Sequence, residues 1–297
     1  MNASPPPGPP PLHEHTLVLD GGLSDALRAE GCDLSGGLWT ARALAEDPAR
    51  VAAAHAAHVR AGAEVITTAS YQASFEGFAR HGIGRAAAAR LFGESVRLAR
   101  AAGAPYVAAS VGPYGAVLGD GGEYRGRYGL SVTELERFHR PRVEALAAAA
   151  PDVLALETVP DAEEARALLR ATRDCGIPVW LSFTAERERT RAGQPLAEAF
   201  ALAAEADHVI AVGVNCCAPG EVTAAVRLAA EVTGKPAVAY PNSGEQWDAE
   251  TGEWRGEAVF DPLLALVWRG AGARLIGGCC RVGPELIARI RTALAGS

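Results

Sequence analysis

Short apolar, β-branched runs alternate with longer Ala-, Leu- and Arg-rich stretches along almost the whole chain. The runs cover residues 16–19, 64–67, 106–110, 153–156, 179–183, 209–214, 237–240 and 274–276. Runs this short, bounded by turn residues, read as buried strands, and the stretches between them carry helical spacing. Helices are predicted over 48–61, 84–102, 133–150 and 161–175, with a last one over 284–294. Gly62, Gly103 and Gly176 follow three of them, where a C-terminal cap favours glycine. Ser131 and Glu134 have capping-box spacing, and Asp161 ahead of Glu163 and Glu164 is a second helix start.

Strand–helix alternation implies parallel pairing through right-handed crossovers. Eight such units in one chain fit a single (β/α)8 (TIM) barrel, an α/β fold, better than an open doubly wound sheet. An open sheet would usually carry a glycine-rich phosphate loop after an early strand. Asp20-Gly21-Gly22 is not one, and no Walker-type loop occurs. Each apolar run leads into a distinctive polar cluster, among them Thr67-Thr68-Ala69-Ser70-Tyr71-Gln72, Glu157-Thr158, Asn215-Cys216, Pro241-Asn242-Ser243 and Gly278-Cys279-Cys280. In a barrel these all fall on the C-terminal rim, where active sites of this fold assemble. Residues 114–129, glycine-rich and without apolar periodicity, read as a lid, a substrate loop or an ordinary surface excursion.

Composition narrows the setting. The chain has 297 residues, 49% apolar and 21% charged, as in an ordinary globular protein. A net charge of −7 argues against nucleic acid or an anionic membrane as the main partner. No signal peptide or membrane span is evident, so a cytoplasmic location is expected. Residues 1–14, rich in proline, are expected to form a disordered tail ahead of a barrel domain over 15–297.

Cysteine placement carries the chemistry. Six cysteines are too few and too clustered for a disulfide scaffold. Cys279 and Cys280 are adjacent, and consecutive Cα atoms about 3.8 Å apart strain a bridge that prefers roughly 5.5–6 Å. Two thiols at one strand end, with a third from the Cys216-Cys217 pair at another, instead suggest a three-thiolate metal site. Cys32 and Cys175 read as structural, and buried packing is the plain alternative for any one of these thiols.

Taken together, the strand-end motifs resemble those of the homocysteine S-methyltransferase family. The resemblance rests on Leu19-Asp20-Gly21-Gly22, the stretch 62–72, Glu157-Thr158-Val159-Pro160, Gly213-Val214-Asn215-Cys216, Tyr240-Pro241-Asn242-Ser243-Gly244-Glu245 and Gly277-Gly278-Cys279-Cys280-Arg281, spanning nearly the whole chain. It implies one Zn2+ held by Cys216, Cys279 and Cys280, with Cys217 a packed neighbour. It further implies homocysteine binding by Asp20, Glu157 and Thr68, a donor-side role for Tyr71, and rim contacts from Asn242 and Ser243. The chain lacks the C-terminal arm of the betaine-using branch, which favours a monomer. It also lacks a cobalamin motif. It looks more like the branch that takes S-methylmethionine or S-adenosylmethionine as methyl donor.

The implied chemistry is coherent. Only a thiolate is a good sulfur nucleophile, and a zinc-coordinated thiol is deprotonated outright. Three protein ligands leave the fourth position for substrate. Three anionic sulfurs make the metal a poor activator of water, which counts against a hydrolase. A different thiol or selenocysteine as acceptor, or a non-catalytic zinc- or thiol-binding component of a methyltransferase system, are the alternatives.

Overall fold

The computed structural model describes residues 9–34, 38–248 and 253–296. Eight parallel strands form the barrel: β1 (Leu17–Val18), β2 (Val65–Thr67), β3 (Tyr106–Val111), β4 (Val153–Val159), β5 (Val179–Phe183), β6 (Val209–Asn215), β7 (Ala237–Tyr240) and β8 (Ala273–Ile276). They hydrogen-bond in the order β1-β8-β7-β6-β5-β4-β3-β2. A parallel bridge between Leu19 and Val65 brings the two ends together, with Asp20 N donating to Val65 O (3.1 Å) and Glu64 N to Val18 O (2.8 Å). The predicted helices form as Pro48–Arg60, Arg85–Ala101, Val132–Ala147, Ala162–Thr172 and Pro284–Ala295. Ser131 and Glu134 make the reciprocal capping box, and Asp161 accepts from Glu163 N (3.0 Å). Among the described residues no helix is long and apolar enough to cross a membrane.

Strand alternation sorts the core into two layers. Val18, Ile66, Val107, Leu154, Val212 and Ala239 face the helices and join the large outer core. Their neighbours Leu19, Val65, Ala108, Ala155, Ala211 and Val238 fill the barrel interior with Trp180, Tyr240 and Leu275. Residues two positions further along a strand share a face. Thr67, Ser110, Glu157, Ser182 and Asn215 therefore stand above Val65, Ala108, Ala155, Trp180 and Gly213, in a polar layer at the C-terminal end. The apolar interior ends where the candidate chemistry begins.

The tail expected over 1–14 lies outside the described residues for 1–8. Within residues 9–14, Pro10 and Leu12 are buried while Pro9, His13 and Glu14 are exposed: Leu12 is 2% exposed and joins the interior cluster with Leu17 and Trp180, and Leu12 N bonds Pro10 O (2.9 Å). A single leucine in an otherwise Pro-rich stretch plugs the open end of the barrel. This is burial that local composition does not reveal.

His55 and His58 lie buried on the helix Pro48–Arg60, and neither ring has a hydrogen-bond partner. Burial, with His58 nearby, holds His55 down to about 3, and burial holds His58 down to about 4. The unfolded chain protonates both rings as pH falls through about 6.5, whereas the folded chain resists until about 4 at His58 and about 3 at His55. Their contribution is therefore complete above about pH 6.5 and lost on acidification toward about pH 4. Urea unfolding should show this loss between neutral pH and about pH 5. A His55→Leu variant should reduce the difference by on the order of 1–2 kcal/mol. An unchanged difference would remove His55 as its source.

Candidate active site

Three thiols converge above the polar layer. Cys216 follows β6, and Cys279 and Cys280 follow β8. Their sulfurs are separated by 2.7 Å (Cys216–Cys279), 3.9 Å (Cys216–Cys280) and 3.8 Å (Cys279–Cys280), and they form a possible metal-ligand group. Ligands about 2.3 Å from a tetrahedral ion stand about 3.8 Å apart, which two of the three edges match. Hydrogen bonds from Cys279 and Cys280 draw the Cys216 thiol well down, while those same contacts push the other two up. Three thiolates this close repel one another, and a divalent cation is what would let all three ionise. Arg281 supplies no such charge, because its guanidinium turns to Glu245 (3.1 Å). The donor set fits a thiolate-bound zinc.

Local backbone conformation explains which thiols meet. Cys216 has φ +50° and Thr158 φ +59°, both in the left-handed region that non-glycine residues avoid. Asn215, buried at the end of β6, holds Thr158 in place. Its Oδ1 accepts from Thr158 N (2.7 Å) and Ser182 Oγ (2.8 Å), and its Nδ2 donates to Thr158 Oγ1 (2.7 Å). Cys216 N bonds Tyr240 O (3.1 Å), and Thr184 Oγ1 donates to Cys216 O (3.1 Å). The left-handed turn sends the Cys216 sulfur to the cluster. The Cys217 sulfur is buried outside it, with its thiol pushed up by that burial. On the facing side, a Cβ on Gly278 would come within 2.3 Å of Val282 Cγ1, and one on Gly22 within 2.6 Å of Cys279 O. Glycine at 278 lets the β8 loop fold back on Val282, and glycine at 22 lets the β1 and β8 loops close on each other.

The thiols open on a cleft of about 680 Å³ counted to its mouth, lined also by Thr68, Tyr71, Ser110, Glu123, Tyr124, Glu157 and Tyr240. The β4 register shifts between Leu156 and Val159, and strand alternation above Ala155 turns the Glu157 carboxyl into the cleft. Ser110 Oγ donates to it, and burial pushes it up to about 8, with the Cys216 and Asp20 charges adding. Thr68 Oγ1 accepts from Ser110 N (3.0 Å) and meets Ser70 Oγ (2.7 Å), whose own proton goes to Ser110 O (2.7 Å). Thr68 must therefore donate to Ser70, and toward a ligand it can only accept.

The remaining residues singled out from sequence sit one step back. Asp20 lies below the cleft, accepting from Thr67 N (2.7 Å), Thr67 Oγ1 (2.8 Å) and Tyr240 OH (2.7 Å). Burial raises it to about 7 against those bonds. Asn242 Oδ1 accepts from Cys280 N (3.1 Å), and Ser243 N donates to Cys280 O (3.0 Å). Both brace the backbone of a cluster cysteine.

Glu123 and Tyr124 were not anticipated. They belong to residues 114–129, which fold over the cleft as a short helix, Tyr114–Leu118, and a 3-10 turn, Gly122–Tyr124. Tyr114 N donates to Glu164 Oε1 (2.6 Å), Arg127 N to Asp161 Oδ2 (2.9 Å) and Tyr128 OH to Gly122 O (3.2 Å). The loop is strapped down from both sides. Behind it, the buried Arg142 donates to the carbonyls of Gly112 (3.0 Å) and Tyr71 (2.8 Å), fixing Tyr71.

Known proteins resemble this chain over nearly its whole length. The family model described as homocysteine S-methyltransferase matches residues 17–294. A homocysteine S-methyltransferase of Escherichia coli is 44% identical over 291 residues, covering 93% of this chain and 94% of its own length. The homocysteine S-methyltransferase YbgG of Bacillus subtilis is 41% identical over 292 residues, covering 92% and 93%. The crystal structure of the E. coli homocysteine methyltransferase MmuM in its metallated form superposes with a TM-score of 0.83 at 42% identity, covering 95% of this chain and 96% of that one. All the strand-end motifs fall inside these matches, and the chain belongs to the homocysteine S-methyltransferase family.

Proposed function

We propose that the chain moves a methyl group from a sulfonium donor, S-methylmethionine or S-adenosylmethionine, to the sulfur of homocysteine, with Zn2+ held by Cys216, Cys279 and Cys280. The observation that carries this is the convergence of three thiols, one buried and two half-buried, on a cleft whose other polar groups suit an amino-acid thiol. When bound, zinc keeps the acceptor sulfur deprotonated and nucleophilic at neutral pH. Glu157 receives the acceptor's ammonium, which returns the carboxyl to its charged form. Thr68, able only to accept, takes a second ammonium proton. Asp20 acts through Thr67 and Tyr240, and Asn242 and Ser243 keep Cys280 in register. Tyr71 presents its ring to the methyl-bearing cation, a contact worth about 0.5–2 kcal/mol. The strapped loop over 114–129 excludes water, and the chain's main contribution is to hold donor methyl and acceptor sulfur in line. Three reduced thiols suit a cytoplasmic setting, and a single chain acting as a monomer contains every residue used.

The test is turnover by the isolated chain with homocysteine and a panel of methyl donors, zinc being quantified in the same preparation. Methionine should form from the sulfonium donors with about one zinc per chain, stop on chelation, and resume when zinc is returned. Turnover that survives complete metal removal, or that requires a non-sulfonium donor, would overturn the reading.

A further inference from the structure

The cleft is lined by carboxylates and by no basic side chain among the described residues. Two of its three acids are engaged: Asp25 accepts from Arg281 N (2.6 Å) and pairs with Arg28, and Glu157 accepts from Ser110 Oγ. The third, Glu123, is different. Its residue is 5% exposed, it lines the cleft, and its Oε2 is buried with no hydrogen-bond partner. The nearest candidate cation, Arg125, is taken by Asp120 (2.9 Å). A buried carboxylate oxygen without a partner is costly, and native structures rarely carry one unless a ligand completes it.

The turn is built to keep Glu123 there. Asp120 Oδ1 accepts from Gly122 N (2.9 Å), and a Cβ on Gly115 would lie 2.3 Å from the Gly122 carbonyl carbon, so the short helix and the turn stack backbone to backbone. Glu123 shares the lining of the cleft with Tyr71, Cys216, Glu157 and Thr68.

Resting on the sulfonium reading above, we propose that Glu123 is the counter-ion that selects the positively charged sulfur of the methyl donor. The step itself says how this should appear in kinetics. The acceptor thiolate bonds to the methyl carbon, the sulfonium C–S bond breaks, and its electron pair stays on the donor sulfur, which leaves as a neutral thioether. Positive charge at that sulfur thus declines on the way to the transition state. A carboxylate beside it stabilises bound donor more than the transition state, so it contributes to donor affinity and not to the chemical step. It also lets the neutral product go.

Glu123→Gln keeps the shape and removes the charge. The expected result is a rise of about tenfold or more in donor KM, with kcat at saturating donor unreduced and homocysteine KM within about twofold of wild type. Calorimetry of S-methylmethionine without homocysteine should show the same loss of about tenfold. Binding of methionine, which keeps the ammonium and lacks the sulfonium, should not change. Because Oε2 has no partner to lose, the variant should melt no lower than wild type. Unchanged donor KM and affinity would overturn the inference and leave the methyltransferase reading intact. An equal loss for methionine would also overturn it, assigning Glu123 to the ammonium. Absence of turnover by the wild type with any sulfonium would overturn both.

Discussion

Cys279→Ala or Cys280→Ala should leave the chain folded, empty the metal centre and lower methionine formation by about a thousandfold or more. The three sulfurs lie on the loops after β6 and β8, and hydrogen bonds that do not involve sulfur, such as Asn242 Oδ1 with Cys280 N and Pro241 O with Cys279 N, hold the β8 loop in the absence of metal. Removing one leaves two ligands for an ion that binds tightly only with its full set, and the acceptor thiol returns to its ordinary, mostly protonated state. Metal analysis and steady-state turnover on the same samples check this. Cys217→Ala provides the contrast. Its sulfur lies outside the cluster, so metal content should hold and only about 1 kcal/mol of packing should be lost. Full metal and activity in either Cys279→Ala or Cys280→Ala would remove that residue from the centre.

Glu157→Gln should separate stability from activity. In the folded chain without ligand, burial raises the carboxyl to about 8, from an ordinary value of 4.5. Below about pH 4.5 the acid is neutral in both folded and unfolded chains. As pH rises from there toward about 8 the unfolded chain releases the proton and the folded chain does not, so this group costs stability progressively over that range. A neutral amide that still accepts from Ser110 Oγ avoids that cost. The variant should therefore melt a few degrees higher than wild type at about pH 8 and differ little at about pH 4.5. Its kcat/KM for homocysteine should nevertheless fall by about a hundredfold, because the ammonium loses its charged partner in a buried cleft. A melting-temperature gain that is absent, or equal at both pH values, would show that Glu157 is not a desolvated acid. An unchanged homocysteine KM would move the ammonium elsewhere.

The barrel was legible because its determinants are local. Alternating strand residues and helical spacing are visible within windows of a few residues, and caps such as Asp161 and the Ser131–Glu134 box mark helix starts that form as expected. The helix expected over 133–150 ends at Ala147, with Ala150 left-handed at φ +51°. An alanine run has no stop signal of its own, and the turn into β4 cuts it short. The rim clusters were equally visible, because parity along a strand carries Thr67, Ser110 and Glu157 to the same face as the apolar residues beneath them.

Beyond that reach, sequence position and spatial role part company. Asp20 follows β1 as a rim acid should, yet its oxygens are occupied by Thr67 and Tyr240 from other strands. Asn242 spends its side-chain oxygen on the backbone of Cys280, 38 positions away, while Ser243 meets Cys280 O through its backbone N and turns its hydroxyl to Glu245. Glu123 stands in a glycine-rich stretch with no periodicity, and nothing local distinguishes it from the solvated Asp120 three residues before. It becomes a cleft residue only because Glu164, Asp161 and Gly115 pin the loop across the mouth.

By itself the sequence determined the eight-unit barrel, the rim as the place for chemistry, and the meeting there of Cys279 and Cys280 with a thiol from the Cys216-Cys217 pair. Strand period and strand ends are short-range properties, so a one-dimensional reading recovers them. Only the tertiary structure decided the physical basis for Cys216 rather than Cys217 in that cluster, the occupied state of Asp20, and the unpartnered Oε2 of Glu123. Each of these depends on hydrogen bonds or burial supplied by residues distant in the chain: Thr184 and Tyr240 around the left-handed Cys216, Thr67 and Tyr240 around Asp20, and, among the described residues, no hydrogen-bond partner for the buried Glu123 Oε2. Long-range satisfaction of polar groups leaves no local pattern in the chain that carries it.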